Sequence, residues 1–435
     1  MPLVSRLIYL KLSSDQLDAR YARLTPVVTG HLPRDRAAVD EWHTQLRLSL
    51  GNASTPEDWR PAVGELAELI DRDGIVRMYV AQMIQQALEI RHEPEMPDQI
   101  ENTQQLLEAL NLIVRSAPKF TPPPHGPHAF PMSNLFVYMM MTGAGETAFR
   151  LPQFNDALRA ILKEWCEFLD SSDSASVLNT GAEGWLSEPA CTFNKLDEFV
   201  IPDKSAAHWG WTSYNSFFHR EIKPTARPIA EPENPKAIVS ANDGTIWQIA
   251  RDVKASDQFW LKGQPYSLVD MLNNDEENVG RFTGGDVFQS FLSGANYHRW
   301  HSPIDGVVLK VELVEALLFS DLEAAGYDPG AGTESLGYEA SVNTRGLVYV
   351  ASEDPTIGAV CVIPIGITEI SSVSFAVKKG DVVKKGQELG RFSYGGSTLA
   401  LVFQPGAVNH FTVPEPNDSV QKPSIDVNAL LAVAN

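Results

Sequence analysis

Cysteine is scarce: 435 residues hold three, Cys166, Cys191 and Cys361, far apart and without a C-x-x-C pair. That excludes a disulfide framework and points to a reducing compartment. Long apolar runs are missing too. The longest, NLFVYMMM at 134–141, is far below the roughly 20 residues a membrane-spanning helix needs. The stretch MPLVSRLIYLKLSSDQ lacks a long apolar segment followed by a small-residue cleavage site, so no secretory leader is expected. Basic residues are outnumbered, 35 against 55, for a formal net charge of −20. Such a chain repels nucleic acid and anionic membrane surfaces unless a local basic patch counters it. KKGDVVKK (378–385) comes nearest, but it is short and broken by Gly380 and Asp381. The expectation is a soluble cytoplasmic protein with no nucleic-acid partner and no membrane span.

What is present is an ordinary hydrophobic share, 43%, enough for a sizeable core. The length suggests two or three domains. The first half reads as helical. Thr55-Pro56-Glu57-Asp58 resembles a helix start with proline at the first helical position. Apolar stripes at helical spacing run through Tyr79, Val80, Met83, Ile84, Ala87 and Leu88. Others run from Leu106 to Val114 and from Leu158 to Leu169. The segment PKFTPPPHGPHAFP (118–131) interrupts them. Its His125 and His128 lack further ligands at zinc spacing, so they read as loop histidines and no metal is expected.

Composition changes near residue 222. IKPTARPIAEPENPK (222–236) holds four prolines and no helical period, as an extended connector would. After it come AIVS, GTIWQIA, GVVLKVELV, GAVCVIPIGI and LALVF, punctuated by glycine, proline and aspartate. The expected organisation is α+β: a helical domain over 1–205, a connecting segment over 206–236 and a β-rich domain over 237–435. SPIDGVVLKVEL (302–313) and VKKGDVVKKGQELGRF (377–392) look like halves of a lipoyl-type hammerhead.

Four short motifs stand out: SYNSFFHREIKPTARPI (213–229), SANDGTI (240–246), NYHRWHSPIDG (296–306) and YGGSTLALVF (394–403). Singly each is weak. Asp243-Gly244 alone is an ordinary turn, and His298 and His301 could be a metal pair or surface histidines. Together they supply an acid, a histidine and a serine preceded by glycine, the inventory for activating a weak hydroxyl nucleophile.

Their wording and order over residues 210–410 resemble the pyruvoyl-dependent phosphatidylserine decarboxylases. The helical half, with GWLSEPA (184–190), resembles one soluble fungal branch, the aromatic amino-acid (L-tryptophan) decarboxylases of the psilocybin-pathway type. The resemblance implies that Gly396-Ser397 is a self-cleavage site. Asp243 would orient His301, and His301 would take the proton of Ser397. The hydroxyl would then attack the Gly396 carbonyl, a reaction favoured by proximity and by a glycine backbone that can bend. The resulting ester opens by β-elimination to a dehydroalanine, whose hydrolysis releases ammonia and leaves a pyruvoyl group at position 397. Two chains, 1–396 and 397–435, would stay associated without a covalent link. The ketone is an electron sink in the role pyridoxal phosphate plays elsewhere, so no pyridoxal phosphate is implied. His298 would return a proton to the decarboxylated carbon.

Asp305, also before a glycine, competes with Asp243; the family position favours Asp243, and Asp305 then makes its own turn. Phe217, Phe218 and Arg227 read as packing and docking residues, and Arg345 has no assigned role. The acidic balance and the lack of an apolar span favour a small soluble amino acid, L-tryptophan first, over phosphatidylserine. The stretch 321–340 reads as a loop that either covers the pocket or is solvated. Two other classes stay open: a lipoyl-like carrier or binding module, and a serine hydrolase using Ser397, His301 and Asp243.

Overall fold

The computed structural model describes residues 36–50, 58–90, 100–121, 130–256, 266–294, 296–321, 335–369, 372–394, 397–416 and 423–435. His125, His128, Gly395 and Gly396 lie outside them, as does 322–334 of the loop-like stretch.

Helices dominate as far as Phe218 and strands follow from Ala237, an α+β arrangement. Three of the helices, Pro61–Arg72, Pro131–Met140 and Pro152–Asp170, begin on proline. Proline fits there because its missing N–H has no intrahelical partner in the first turn. Thr55, Pro56 and Glu57 of the expected helix start lie outside the described residues. Asn102 caps Thr103–Ile113 by accepting from Gln105 N at 3.0 Å. The apolar stripes do become helix faces. Val80 and Met83 of Gly74–Ile90, Leu106 and Leu110, and Leu158 and Trp165 are all buried in one cluster. That cluster also takes in Tyr297, Phe319 and Tyr394 from the second half, so the two halves share a core.

An eight-stranded antiparallel sheet organises the second half. Its order is Ser424–Ile425, Gly244–Ala250, Asp286–Leu292, Ser397–Phe403, Ala359–Gly366, Arg345–Ala351, Gly306–Val314, Val382–Val383. Ser397–Phe403 is bonded along its whole length on both sides. Leu399, Leu401 and Phe403 face one core, and Ala400 and Val402 face another. A strand covered on both faces reads as a continuous apolar run, which is why LALVF is legible.

The segments at 302–313 and 377–392 pair with each other, Gly306 opposite Val383 and Val307 opposite Val382. The strands Asp286–Leu292 and Arg345–Ala351 were not anticipated. Nor were three short helices, Leu268–Met271, Glu276–Phe282 and Leu336–Val342. The last corrects the reading of 321–340 as loop throughout, because Leu336 to Ala340 are buried and helical.

Two polar joints tie the halves together close to Ser397. Glu369 is buried, and it accepts from Met132 N at 3.0 Å, Thr368 Oγ1 at 2.8 Å, and the amide and hydroxyl of Ser133. It thus holds the N-terminus of Pro131–Met140, where backbone donors and the helix dipole favour a carboxylate. Burial pushes its pKa up, against those hydrogen bonds. Asn215 accepts from Tyr394 N at 3.1 Å and donates to Asp170 at 2.9 Å.

Phe136 sits edge-on to Phe149 and Phe319, each 5.2 Å away, and is fully buried. Phe136→Ala should cost about 3–5 kcal/mol of stability. Leu112→Ala, at a position 40% exposed, should change it by no more than about 0.5 kcal/mol. Chemical denaturation of both variants checks this; equal midpoints would show that Phe136 does not support the shared core.

Candidate active site

Ser397 opens the central strand, with Leu292 opposite it on one side and Gly366 on the other. The next residue is locked in place. Thr398 Oγ1 donates to Ser290 O at 2.8 Å and accepts from Gln289 Nε2 at 3.0 Å. Gln289 is itself held by Tyr266 OH at 2.6 Å and by Leu336 O at 3.0 Å. Asn343 Nδ2 holds Gly366 O at 3.0 Å. Within this hydrogen-bonded frame the Ser397 hydroxyl is buried and has no hydrogen-bond partner among the described residues. Leaving such a group unpaired costs about 1–3 kcal/mol, so it calls for a functional explanation.

The two histidines lie on and just before the short strand Arg299–His301, which pairs with Glu388–Phe392. His301 is anchored through its backbone N to Ala241 O at 2.8 Å. Its Nδ1 is 2.7 Å from Gly386 O, and its Nε2 is 2.9 Å from Tyr297 OH. A carbonyl oxygen only accepts, so Nδ1 carries the hydrogen and Nε2 accepts from the tyrosine. Burial pulls the His301 pKa down, opposed chiefly by the Gly386 bond. The ring is therefore neutral, with its basic nitrogen turned to Tyr297. Gly386 has φ +78, and a Cβ there would meet Ile229 at 2.6 Å, so glycine suits the turn that presents this carbonyl.

His298 is fully buried and stacks on Phe218, with ring centroids 4.0 Å apart. Its carbonyl accepts from Phe392 N at 2.9 Å. Phe218 in turn meets Tyr394 edge-on at 5.3 Å, so a chain of rings leads from His298 toward the residues just before Ser397. Phe218, read from sequence as packing, thus also positions a candidate histidine.

Asp243 corrects an expectation. It does not hydrogen-bond His301: its oxygens accept from Arg227 Nε at 3.0 Å, Arg227 Nη2 at 2.8 Å and Val427 N at 2.7 Å. His301 Nδ1 donates to Gly386 O instead. Burial works against the Arg227 charge, but the bonds and charge of Asp243 outweigh it and raise the guanidinium pKa. Glu198 at 2.8 Å completes the cluster. Two buried partners in a bidentate pair make a stiff joint, and Asp243 lies two residues from the Ala241 carbonyl that anchors His301. Arg227 and Tyr297 were missed as site residues. Arg227 could not be placed because its partner lies across a turn, whereas Tyr297 stands in the same motif, four residues before His301.

Asp305 accepts from Lys385 N at 3.0 Å and so holds the neighbouring turn. Arg345 is buried and donates to the carbonyls of Met271 at 2.9 Å, Asn343 at 2.8 Å and Asp270, a structural clamp. Among the described residues no group of three or more His, Cys, Asp or Glu is placed to hold a metal ion.

The profile of the phosphatidylserine decarboxylase family matches residues 214–423, and a second phosphatidylserine decarboxylase profile matches residues 60–193. Decarboxylase iboD of Amanita muscaria is 40% identical over 324 residues, covering 70% of this chain and 91% of that protein. L-tryptophan decarboxylase of Psilocybe cubensis is 29% identical, covering 86% and 87%. Phosphatidylserine decarboxylase proenzyme 3 of Schizosaccharomyces pombe is 30% identical over 201 residues, 46% of this chain but only 20% of that protein. With both profiles on this chain, and a decarboxylase 40% identical to it over 91% of that protein's length, this chain belongs to the phosphatidylserine decarboxylase family and is a decarboxylase.

Proposed function

We propose that the protein is a pyruvoyl-dependent decarboxylase of an aromatic L-amino acid, L-tryptophan to tryptamine in the first instance. It matures by cutting its own chain between Gly396 and Ser397. The observation that carries this is the Ser397 hydroxyl, buried and without a hydrogen-bond partner among the described residues, at the start of an otherwise fully bonded strand. A hydroxyl that is to become the cofactor fits that position, since a partner would tie up the oxygen that has to attack. The pyruvoyl group supplies a ketone electron sink, and no pyridoxal phosphate is required.

The other roles belong to the chain's own residues. Ser397 Oγ attacks the Gly396 carbonyl and gives up its proton. His301 Nε2 is the base, reached by way of the Tyr297 hydroxyl that occupies it. Gly386 O fixes the tautomer. Asp243 is a positioning residue: gripped by Arg227, it steadies the turn whose Ala241 carbonyl holds the His301 backbone. His298, dry and flat against Phe218, returns a proton to the substrate carbon that has lost its carboxylate. The two chains left by cleavage stay together because Ser397–Phe403 is bonded into the sheet on both sides.

Phosphatidylserine is the second reading, supported by the relatives of that name. Against it stand the net charge of −20 and the finding that no helix among the described residues is long and apolar enough to cross a membrane. Decarboxylation of tryptophan, phenylalanine, tyrosine and phosphatidylserine, assayed side by side, separates the two. Aromatic amino acids should be the substrates, and turnover of phosphatidylserine alone would reverse the assignment.

Ser397→Ala should leave one uncut, inactive chain; activity in that variant rules out the mechanism. His298→Ala should still be cut, yet decarboxylate about 10²–10⁴-fold more slowly, the usual loss of a general acid. Full activity there removes His298 from the reaction. Because the His301 pKa is lowered, the base form persists as pH falls. Cleavage of freshly translated precursor should therefore keep its rate down through about pH 6.5, where an exposed histidine is half protonated, and decline only below that. A midpoint above that value contradicts the assignment of His301.

A further inference from the structure

The helix Pro152–Asp170 and the end of strand Gly306–Val314 border a partly open cavity of about 250 Å³ that the reaction scheme does not use. Leu162, Trp165, Leu169, Leu313, Leu318 and Tyr394 form its apolar lining. Tyr394 is three residues before Ser397. It packs edge-on against Trp165 at 5.3 Å and against Phe218, the ring that carries His298, at 5.3 Å. The cavity, Tyr394, Phe218 and His298 are therefore contiguous. A decarboxylase needs a place for the part of the substrate that does not react, next to the part that does.

We propose that this cavity holds the side chain of the amino-acid substrate, and that this side chain is flat and apolar; the proposal rests on Ser397 being the precursor of the ketone. Three observations set the substrate class. The lining is mainly hydrocarbon and aromatic ring, which rewards burial of apolar surface. The volume lies just under the range of about 300–1,000 Å³ for small-molecule sites, room for one amino-acid side chain and too little for a pair of acyl chains. Of the four ionic groups at its wall, Arg159, Lys163, Glu315 and Glu369, two are engaged elsewhere. Glu369 is saturated by Met132, Ser133 and Thr368, so it does not call for a cationic side chain. Arg159 donates to Ala316 O at 2.6 Å and reaches Thr344 Oγ1 at 3.3 Å, so it is not kept for a phosphodiester.

Leu313 is 45% exposed where it borders the cavity, so Leu313→Trp fills the space from the rim without opening the core. The probe is indole-3-propanoate, which lacks the amine and cannot condense with a ketone; its binding to the processed protein is read by calorimetry. The wild-type protein should bind it, and Leu313→Trp should weaken it tenfold or more. KM for tryptophan should rise in parallel while both chains still form. Leu162→Ala, which strips apolar wall from the same cavity, should weaken the probe severalfold. Equal affinity in wild type and both variants, or no binding by the processed wild type, overturns the assignment. Trapping the carbonyl with hydrazine in the same samples keeps the two ideas apart. A wild-type protein that binds the probe but yields no trappable carbonyl overturns the reading of Ser397 and, with it, the link between this cavity and catalysis. A protein with the carbonyl and unchanged affinities overturns the cavity alone.

Discussion

The pairing of Ser397–Phe403 between two neighbouring strands is the constraint on which the rest depends. Seven consecutive residues are buried there, with every strand position matched on both sides. The strand cannot shift without breaking both ladders and turning its side chains to the wrong cores. Its first hydroxyl is therefore held where the fold puts it, without a partner of its own among the described residues. The same ladders would retain the short chain after a cut before Ser397, so one feature serves both the reaction and the integrity of its product.

Around that fixed point the histidines are set by unlike means. His301 is oriented by a backbone carbonyl and a tyrosine, His298 by the face of a phenylalanine. The first arrangement fixes a tautomer and a basic nitrogen; the second offers no charge and keeps the ring dry. The acid of the expected triad is bonded to Arg227, and it acts on His301 through the backbone and through its charge, which works against the lowering of the histidine pKa by burial. An ion pair that is bidentate and largely buried is costly to break from one side, which suits a positioning role.

Much of this was legible beforehand, and the exceptions have physical causes. Helical stripes such as Leu158 to Leu169 and the run LALVF follow from periodicity alone, since each is a face or strand bounded by core. Asp286–Leu292 escaped notice because Gln289 and Ser290 interrupt its apolar pattern. Both are fully buried, satisfied by Thr398, Leu336 and Asn242, partners far off in the chain. Arg227 looked like a docking residue because its partner is a turn aspartate that only the folded chain brings near. The positive φ of Gly386, and so its carbonyl's place on His301, likewise had no local signal beyond a Lys-Gly pair. Ser397, His301 and His298 themselves were visible through motif and resemblance, while their hydrogen-bond partners were not.

The central claim is that the active molecule is no longer one polypeptide. Intact-mass analysis of purified, active enzyme tests it most directly. The account predicts two species, one ending at Gly396 and one spanning residues 397–435 whose first residue carries a ketone in place of an amine. A single active species with the full mass of 435 residues would contradict it.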